Sequence, residues 1–304
     1  MSFFQTSFSE LLEKNGFTAL LVLAVSTFIF ANYFLNSDDE DSSAKQDEQT
    51  SLIALDKQIF KEFKLASKSQ VNSNTVRLVF ETENQDQVLG LAIGQCISVR
   101  VISGTDNKPA VRSYTPISRL DEQGKFELLV KVYPTGIASS YLGNMQVGDY
   151  LPVRGPKGNF SYTPSNKSHI IMLAGGSGIT PMYQVLQHIA ESPENDTTKF
   201  TLVYANVTYE DILLKDELDA LSTNDRINVV YVLQTVPTSG NFVGHEGFIT
   251  KDIIESCIGT ATPSKQALLC GPPPMIKAME AHLVALGFDT PNIVSKPTDQ
   301  IFKF

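Results

Sequence analysis

The chain has 304 residues, 42% of them hydrophobic and 19% charged, with a formal net charge of −9. That length allows about two domains, and the acidic balance argues against a nucleic-acid partner, which would want a basic face. Three cysteines, Cys96, Cys257 and Cys270, form no CxxC pair and cannot make a four-thiolate iron–sulfur site, and the four histidines (His169, His188, His245, His282) lack zinc-ligand spacing, so no metal is expected. Unpaired thiols fit a reducing compartment.

Asn15 to Ser37 carries no charged residue, and its centre, 17–35, is rich in Leu, Val, Phe, Ile and Ala. A helix of about 20 such residues crosses a bilayer core. The upstream charges are Glu10, Glu13 and Lys14 rather than a basic leader, so residues 1–36 are expected to form a retained, single-pass transmembrane helix. Residues 37–51 are acidic and too poor in apolar side chains to order themselves. They read as a linker, repelled by anionic headgroups.

Residues 52–165 read as a β-rich domain. Strand-like runs at 60–68, 75–82, 97–103, 126–133 and 150–155, separated by Gly, Asn, Asp and Pro turns, predict an antiparallel barrel or sandwich. Within it lies Arg112-Ser113-Tyr114-Thr115-Pro116-Ile117-Ser118. In an extended chain Arg112 and Tyr114 share one face, Ser113 and Thr115 the other, and Pro116 ends sheet pairing. A guanidinium beside a phenol suits a ligand with a phosphate and a flat ring; an edge strand with a surface arginine is the plainer alternative. The stretch 135–142 reads as a turn opening a short helix, whose start is either an anion site or an ordinary Ser-rich cap.

From residue 166 to 304 strands and helices alternate. Strands are expected at 169–174, 200–205, 227–233 and 267–270, and helices at 181–190, 211–221, 250–257 and 275–286. This pattern predicts a parallel α/β sheet that binds a ligand at its strand ends. The turn Gly175-Gly176-Ser177-Gly178 lets backbone approach a pyrophosphate, although Pro181 occupies the last position of what would be GxGxxG. Cys270-Gly271-Pro272-Pro273-Pro274-Met275 follows the last apolar strand, where a cysteine is equally at home as core.

Arg-x-Tyr-Thr on a β-domain, GGSGITPM, CGPPPM and a C-terminal aromatic, Phe304, in that order, resemble the NADH–cytochrome b5 reductase family, within the ferredoxin–NADP reductase-like flavoproteins. The resemblance spans roughly Leu52 to Phe304, and with the anchor is similar to the fungal membrane-anchored form. It implies an FAD-binding β-barrel over 52–165 and an NAD-binding α/β domain over 166–304. It implies that Arg112 contacts the FAD pyrophosphate, with Ser113 in the same cofactor-binding run. Tyr114 would lie against the flavin and ribityl chain, and Thr115 near the N5 edge. Leu129, Lys131 and Tyr133 would face the cofactor from the neighbouring strand, and Gly136, Ser139 and Ser140 match a phosphate-binding helix start. Gly175, Gly176, Gly178, Pro181, Cys270, Gly271, Pro272 and Met275 would line the NADH cleft, with Thr180 approaching the flavin from the second domain. Thr115, Thr180 and Cys270 are thereby expected at the reacting atoms.

The implied reaction carries a hydride from NADH to flavin N5, then single electrons to cytochrome b5. The alternative acceptor is another one-electron carrier, such as the small iron protein of diphthamide synthesis. The implied location is the endoplasmic reticulum or mitochondrial outer membrane, with the catalytic domain facing the cytosol. Two positions depart from the family pattern. Ile137 and Ala138 stand where many relatives carry a basic residue and Met. Gln234 stands where many NADH-specific relatives carry an Asp that repels a 2′-phosphate. No Arg follows closely to reward NADPH, so NADH is expected to remain the preferred coenzyme.

Overall fold

The computed structural model describes residues 52–102, 108–191, 195–238, 240 and 242–304. The expected anchor (1–36) and linker (37–51) lie outside the described residues. No helix among the described residues is long and apolar enough to cross a membrane.

The first six strands are β1 (Lys61–Asn72), β2 (Thr75–Glu81), β3 (Cys96–Ile102), β4 (Pro109–Tyr114), β5 (Lys125–Lys131) and β6 (Tyr150–Lys157). They make one sheet in the order β4-β3-β6-β1-β2-β5, with every ladder antiparallel. Period-2 alternation drives it: Ile97, Val99 and Val101 are buried while Arg100 and Ile102 are exposed. Inside, the Phe80 and Phe126 rings stack at 5.2 Å, and Phe63 meets Phe126 edge-on at 5.2 Å. Each such ring contributes about 1.5–3 kcal/mol by leaving water. The sheet's two edges meet just past Pro116, where the Ile117 N–H donates to the Glu127 carbonyl (2.9 Å) and the Glu127 N–H to Ser118 Oγ (3.2 Å). The expected antiparallel β-domain is thus a six-stranded sheet whose edges are tied together just past Pro116.

A short helix, α1 (Ile137–Asn144), follows β5. The second sheet contains β7 (His169–Gly175), β8 (Lys199–Asn206), β9 (Ile227–Leu233), β10 (His245–Glu246), β11 (Lys265–Cys270) and β12 (Ile301–Lys303). Its order is β10-β9-β8-β7-β11-β12, with every ladder parallel. The helices α2 (Ile179–Ala190), α3 (Lys215–Leu221), α4 (Lys251–Ile258) and α5 (Pro273–Ala285) cover it. β10 and β12 are too short to leave a periodic signal and were not expected.

The helix expected over 211–221 is broken. A 3₁₀ turn at Tyr209–Asp211 is followed by extended Ile212, left-handed Leu214 (φ 58°) and only then α3. Ile212, Leu213 and Leu214 are all buried in the same core, although they lie outside the helix. Hydrogen bonds fix the break. The Asp211 carboxylate accepts from the Thr208 N–H (3.3 Å), and the Leu213 N–H donates to the buried Tyr204 hydroxyl (3.3 Å).

Residues 158–168 carry the chain from the first sheet to the second and are pinned along their length. The Phe160 ring packs against Phe302 (5.1 Å) and Phe304 (5.4 Å). Asn159 Nδ2 donates to the Ser295 carbonyl (2.9 Å). The Tyr162 hydroxyl donates to Asp196, as do the Ser165 N–H (3.0 Å), the Thr198 N–H (3.1 Å) and Arg226 Nη1 (2.7 Å). Burial pushes the Asp196 carboxyl up, but these donors outweigh it and hold the group at about 2.

Candidate active site

β4 is an edge strand, and its ladder settles which side chains share a face. Tyr114 pairs with Ile97 and Arg112 with Val99, on one side of the sheet; Ser113 pairs with Ser98 on the other. The alternation expected for this stretch therefore holds. Arg112 is exposed, and among the described residues its hydrogen bonding is confined to its neighbour's carbonyl, Val111 (2.9 Å). Tyr114 is half-buried; burial raises its hydroxyl to about 12, against the Arg112 charge and with a further push from Tyr133. Ser113 turns away from both and accepts from Lys157 Nζ (2.9 Å). Thr115 is half-buried at the strand end.

On β5, Leu129 is buried in the core that also contains Ile170, Met172 and Leu202 of the second sheet. Lys131 Nζ donates to Asp211 (3.0 Å), and both groups are mostly shielded. Its charge is therefore engaged across the sheets. Tyr133 is 46% exposed. At the start of α1, Ser139 Oγ accepts from the Tyr133 N–H and donates to the Gly136 carbonyl (both 3.2 Å), and Ser140 Oγ donates to the Tyr133 carbonyl (3.0 Å). Both hydroxyls thus face their own loop. A helix start leaves its first-turn N–H groups, here at Ile137 and Ala138, without intrahelical partners. A Cβ at Gly136 would collide with Ser139 Oγ, which explains the glycine.

In the second sheet the chain runs β7 to β8 to β9, then returns to β11 on the other side of β7. The carboxyl ends of β7 and β11 therefore flank the switch point where such sheets bind ligands. Gly175–Gly178 and Cys270–Met275 meet there. A Cβ at Gly178 would strike the Cys270 carbonyl, and one at Gly175 would strike Met275 Sδ and come within 3.1 Å of Pro272. Gly271 is less tight but still close, its Cβ position 3.0 Å from Met275 Sδ and 3.2 Å from the Gly175 nitrogen. These glycines let the two loops touch. Gly176 is different: its φ is +52° and nothing lies within 4 Å of its Cβ position, so its outer side is open to a ligand. Its carbonyl accepts from the Tyr204 hydroxyl (3.0 Å). Thr180 and Pro181 are buried in the first turn of α2, and Thr180 Oγ1 donates to the Ser177 carbonyl (3.3 Å). Burial pushes the Cys270 thiol up to about 12, and nearby Cys96 adds to it. Cys270 is therefore a neutral thiol at neutral pH. Gln234 sits exposed past the end of β9, its N–H donating to the Asn206 carbonyl (3.1 Å).

Two residues of this region escaped the sequence reading. Asn206 ends β8 at 6% exposure, and among the described residues its side-chain oxygen and nitrogen both lack hydrogen-bond partners, although the Tyr204 hydroxyl lies near enough for the two groups to interact. A polar residue closing the apolar strand Phe200-Thr201-Leu202-Val203-Tyr204-Ala205 was the available signal. Gln184, on α2, is 1% exposed and bonds to the Gly94–Gln95 loop of the first sheet. Its signal was an amide within the apolar half of α2, between Tyr183 and Val185.

These features fit their expected ligands. The uncompensated Arg112, the half-buried Tyr114 and the open helix start suit an anionic nucleotide with a flat ring. The open side of Gly176 and the orphaned Asn206 amide suit a dinucleotide at the strand ends. An oxidoreductase FAD-binding domain model matches residues 62–162, and an oxidoreductase NAD-binding domain model matches 172–281. NADH-cytochrome b5 reductase 1 of Laccaria bicolor is 41% identical over 298 residues, covering 97% of this chain and 92% of that protein. The Arabidopsis thaliana protein of that name is 42% identical over 285 residues, 93% of this chain and 96% of its own. The cytochrome b5 reductase domain of Ulva prolifera nitrate reductase superposes with a TM-score of 0.73 at 31% identity, over 83% of this chain and all of that one. The chain belongs to the NADH–cytochrome b5 reductase family.

Proposed function

We propose that this protein is a membrane-anchored FAD enzyme that passes electrons from NADH to cytochrome b5. The observation that carries the reading is an unneutralised Arg112 beside Tyr114 on an edge strand, in one compact unit with a glycine turn open at Gly176. Bound FAD supplies the redox chemistry, taking a hydride from NADH and releasing its electrons singly.

The chain's own residues bind, orient and keep water out. Arg112 and the N–H groups opening α1 would hold the FAD phosphates, and Tyr114 would pack against the ring system with Thr115 at its edge. Thr180, from α2, and Cys270, from the end of β11, would close the nicotinamide side; a neutral, half-buried thiol would add bulk there without adding charge. Gly175, Gly178 and Gly271 keep the two loops thin enough to form the cleft. Ser139 and Ser140 shape the helix start rather than touch phosphate, and Lys131 acts through Asp211.

The uncharged stretch 15–37 supports a single-pass anchor, with the acidic linker 37–51 carrying the FAD domain (52–165) and NAD domain (166–304) into the cytosol from the endoplasmic reticulum or mitochondrial outer membrane. The deciding experiment mixes purified, yellow protein with NADH and oxidised cytochrome b5. Reduction of the haem at the rate of NADH loss is expected. NADH oxidation with ferricyanide but none with cytochrome b5 would move the acceptor to another carrier. Resistance of the full chain to alkaline extraction from membranes tests the anchor.

A further inference from the structure

Gln184 sits one helical turn beyond Thr180 on α2, so the two side chains share a face. Its carboxamide reaches the first sheet and bonds twice to backbone. The Gly94 N–H donates to Oε1 (2.8 Å), and Nε2 donates to the Gln95 carbonyl (3.0 Å). The side chain is 1% exposed, so this pair of bonds is out of water and costly to lose. The loop it grips is itself stiff. Gln95 N–H donates to the Ala92 carbonyl (3.0 Å), the Ala92 N–H returns to Gln95 Oε1 (2.9 Å), and Gly94 has φ +73° with the Phe160 ring packed where a Cβ would be. Gln95 runs straight into β3, whose Ile97 is the ladder partner of Tyr114. A short, braced path therefore leads from Thr180 through Gln184, Gly94–Gln95 and Ile97 to Tyr114.

We infer that Gln184 is a positioning residue for the hydride transfer: its amide sets the separation and tilt between the ring-binding strand β4 and the coenzyme-binding start of α2. This rests on the function proposed above. The step it governs moves two electrons and a proton as hydride from the coenzyme, which becomes NAD⁺, to the flavin. Its rate depends steeply on ring-to-ring distance, and misplacement by about 1 Å can cost roughly a hundredfold. Other polar ties cross between the sheets elsewhere: Lys131 to Asp211 and Asn72 to the Glu210 carbonyl grip the segment after β8, Arg77 to Glu217 reaches α3, and Arg119 to Glu191 holds the far end of α2, so the spacing at the Thr180 end is left to Gln184.

The test uses the full-length, FAD-loaded protein, as wild type, Gln184→Met and Gln184→Glu. Methionine has similar length and neither donor nor acceptor of strength. Glutamate keeps the acceptor for Gly94 N–H and loses the donor to Gln95. Three quantities are read: FAD per protein, the NAD⁺ dissociation constant by calorimetry, and the rate of flavin bleaching by NADH and by 4-deuterated NADH under anaerobic stopped flow. Gln184→Met is expected to bleach roughly tenfold to a hundredfold more slowly, with an altered isotope effect, while FAD content and NAD⁺ affinity stay within about twofold. Gln184→Glu should fall between it and wild type. A Met variant with wild-type bleaching and isotope effect overturns the inference. So does a rate loss that merely tracks lost FAD or lost NAD⁺ affinity, since that is the mark of a packing residue. If the Met variant does not fold, the same criteria applied to Gln184→Glu decide. A wild-type protein that takes up no FAD, or is not bleached by NADH, would instead refute the proposed function.

Discussion

Arg112 and Gln234 are the residues whose chemistry is most directly testable. Among the described residues Arg112 forms no ion pair, so Arg112→Ala should remove a charge-assisted contact to the cofactor worth about 1.5–3 kcal/mol. The FAD dissociation constant, measured on apoprotein by flavin fluorescence quenching, should rise roughly tenfold or more. Gln234 lies exposed at the carboxyl end of β9, where a carboxylate would repel a 2′-phosphate by several kcal/mol at most. Gln234→Asp should raise the NADH-to-NADPH ratio of kcat/KM, mainly by weakening NADPH; an unchanged ratio would show that position 234 does not face the 2′ oxygen. The alternation of Arg112 and Tyr114 was readable because a strand has a period of two. The partners of Lys131 and Ser139 were not. Lys131 finds Asp211 80 residues away, and Ser139 turns back on a loop whose path depends on a glycine at 136.

At the scale of elements, local propensity gave way wherever tertiary burial or long-range donors were stronger. The apolar run at 212–214 reads as a helix face, yet the fold buries all three residues and breaks the helix. Parallel strands β7, β8, β9 and β11 were legible as short apolar blocks, whereas β10 and β12 exist only because neighbours pair with them. Gly136→Ala should disrupt the start of α1, since its methyl needs the space of Ser139 Oγ; the same fluorescence titration should show weaker FAD binding with β-sheet content unchanged. Asp196 carries the pH dependence of this scale. Its folded pKa of about 2 lies below the ordinary carboxylate value, and its carboxylate is 1% exposed. The stabilisation, about 2 kcal/mol, is therefore fully present above pH ~4 and lost as pH falls toward ~2. Asp196→Asn should lower the thermal midpoint at pH 7 and narrow the gap to wild type progressively through that acid window.

For the whole molecule, the order of a β-domain followed by an α/β domain was legible in the sequence, while the uncharged stretch and the acidic linker expected before them lie outside the described residues. Deleting residues 1–50 should yield a soluble protein that still holds FAD and oxidises NADH with ferricyanide, because the sheets, cores and site residues described here all lie beyond residue 52. A deleted protein that sediments with membranes, or one that emerges colourless, would count against that division.

The pinned crossing between the two sheets bears on how fast coenzyme arrives. Phe160, Tyr162 and Ser165 leave no slack length of chain about which one half could swing against the other, and Gln184 bolts the opposite side. The cleft is therefore ready-made before anything enters it. Encounter with NAD⁺ should be a single bimolecular event, with an observed association rate that climbs in direct proportion to concentration and shows no plateau from a slower closing motion.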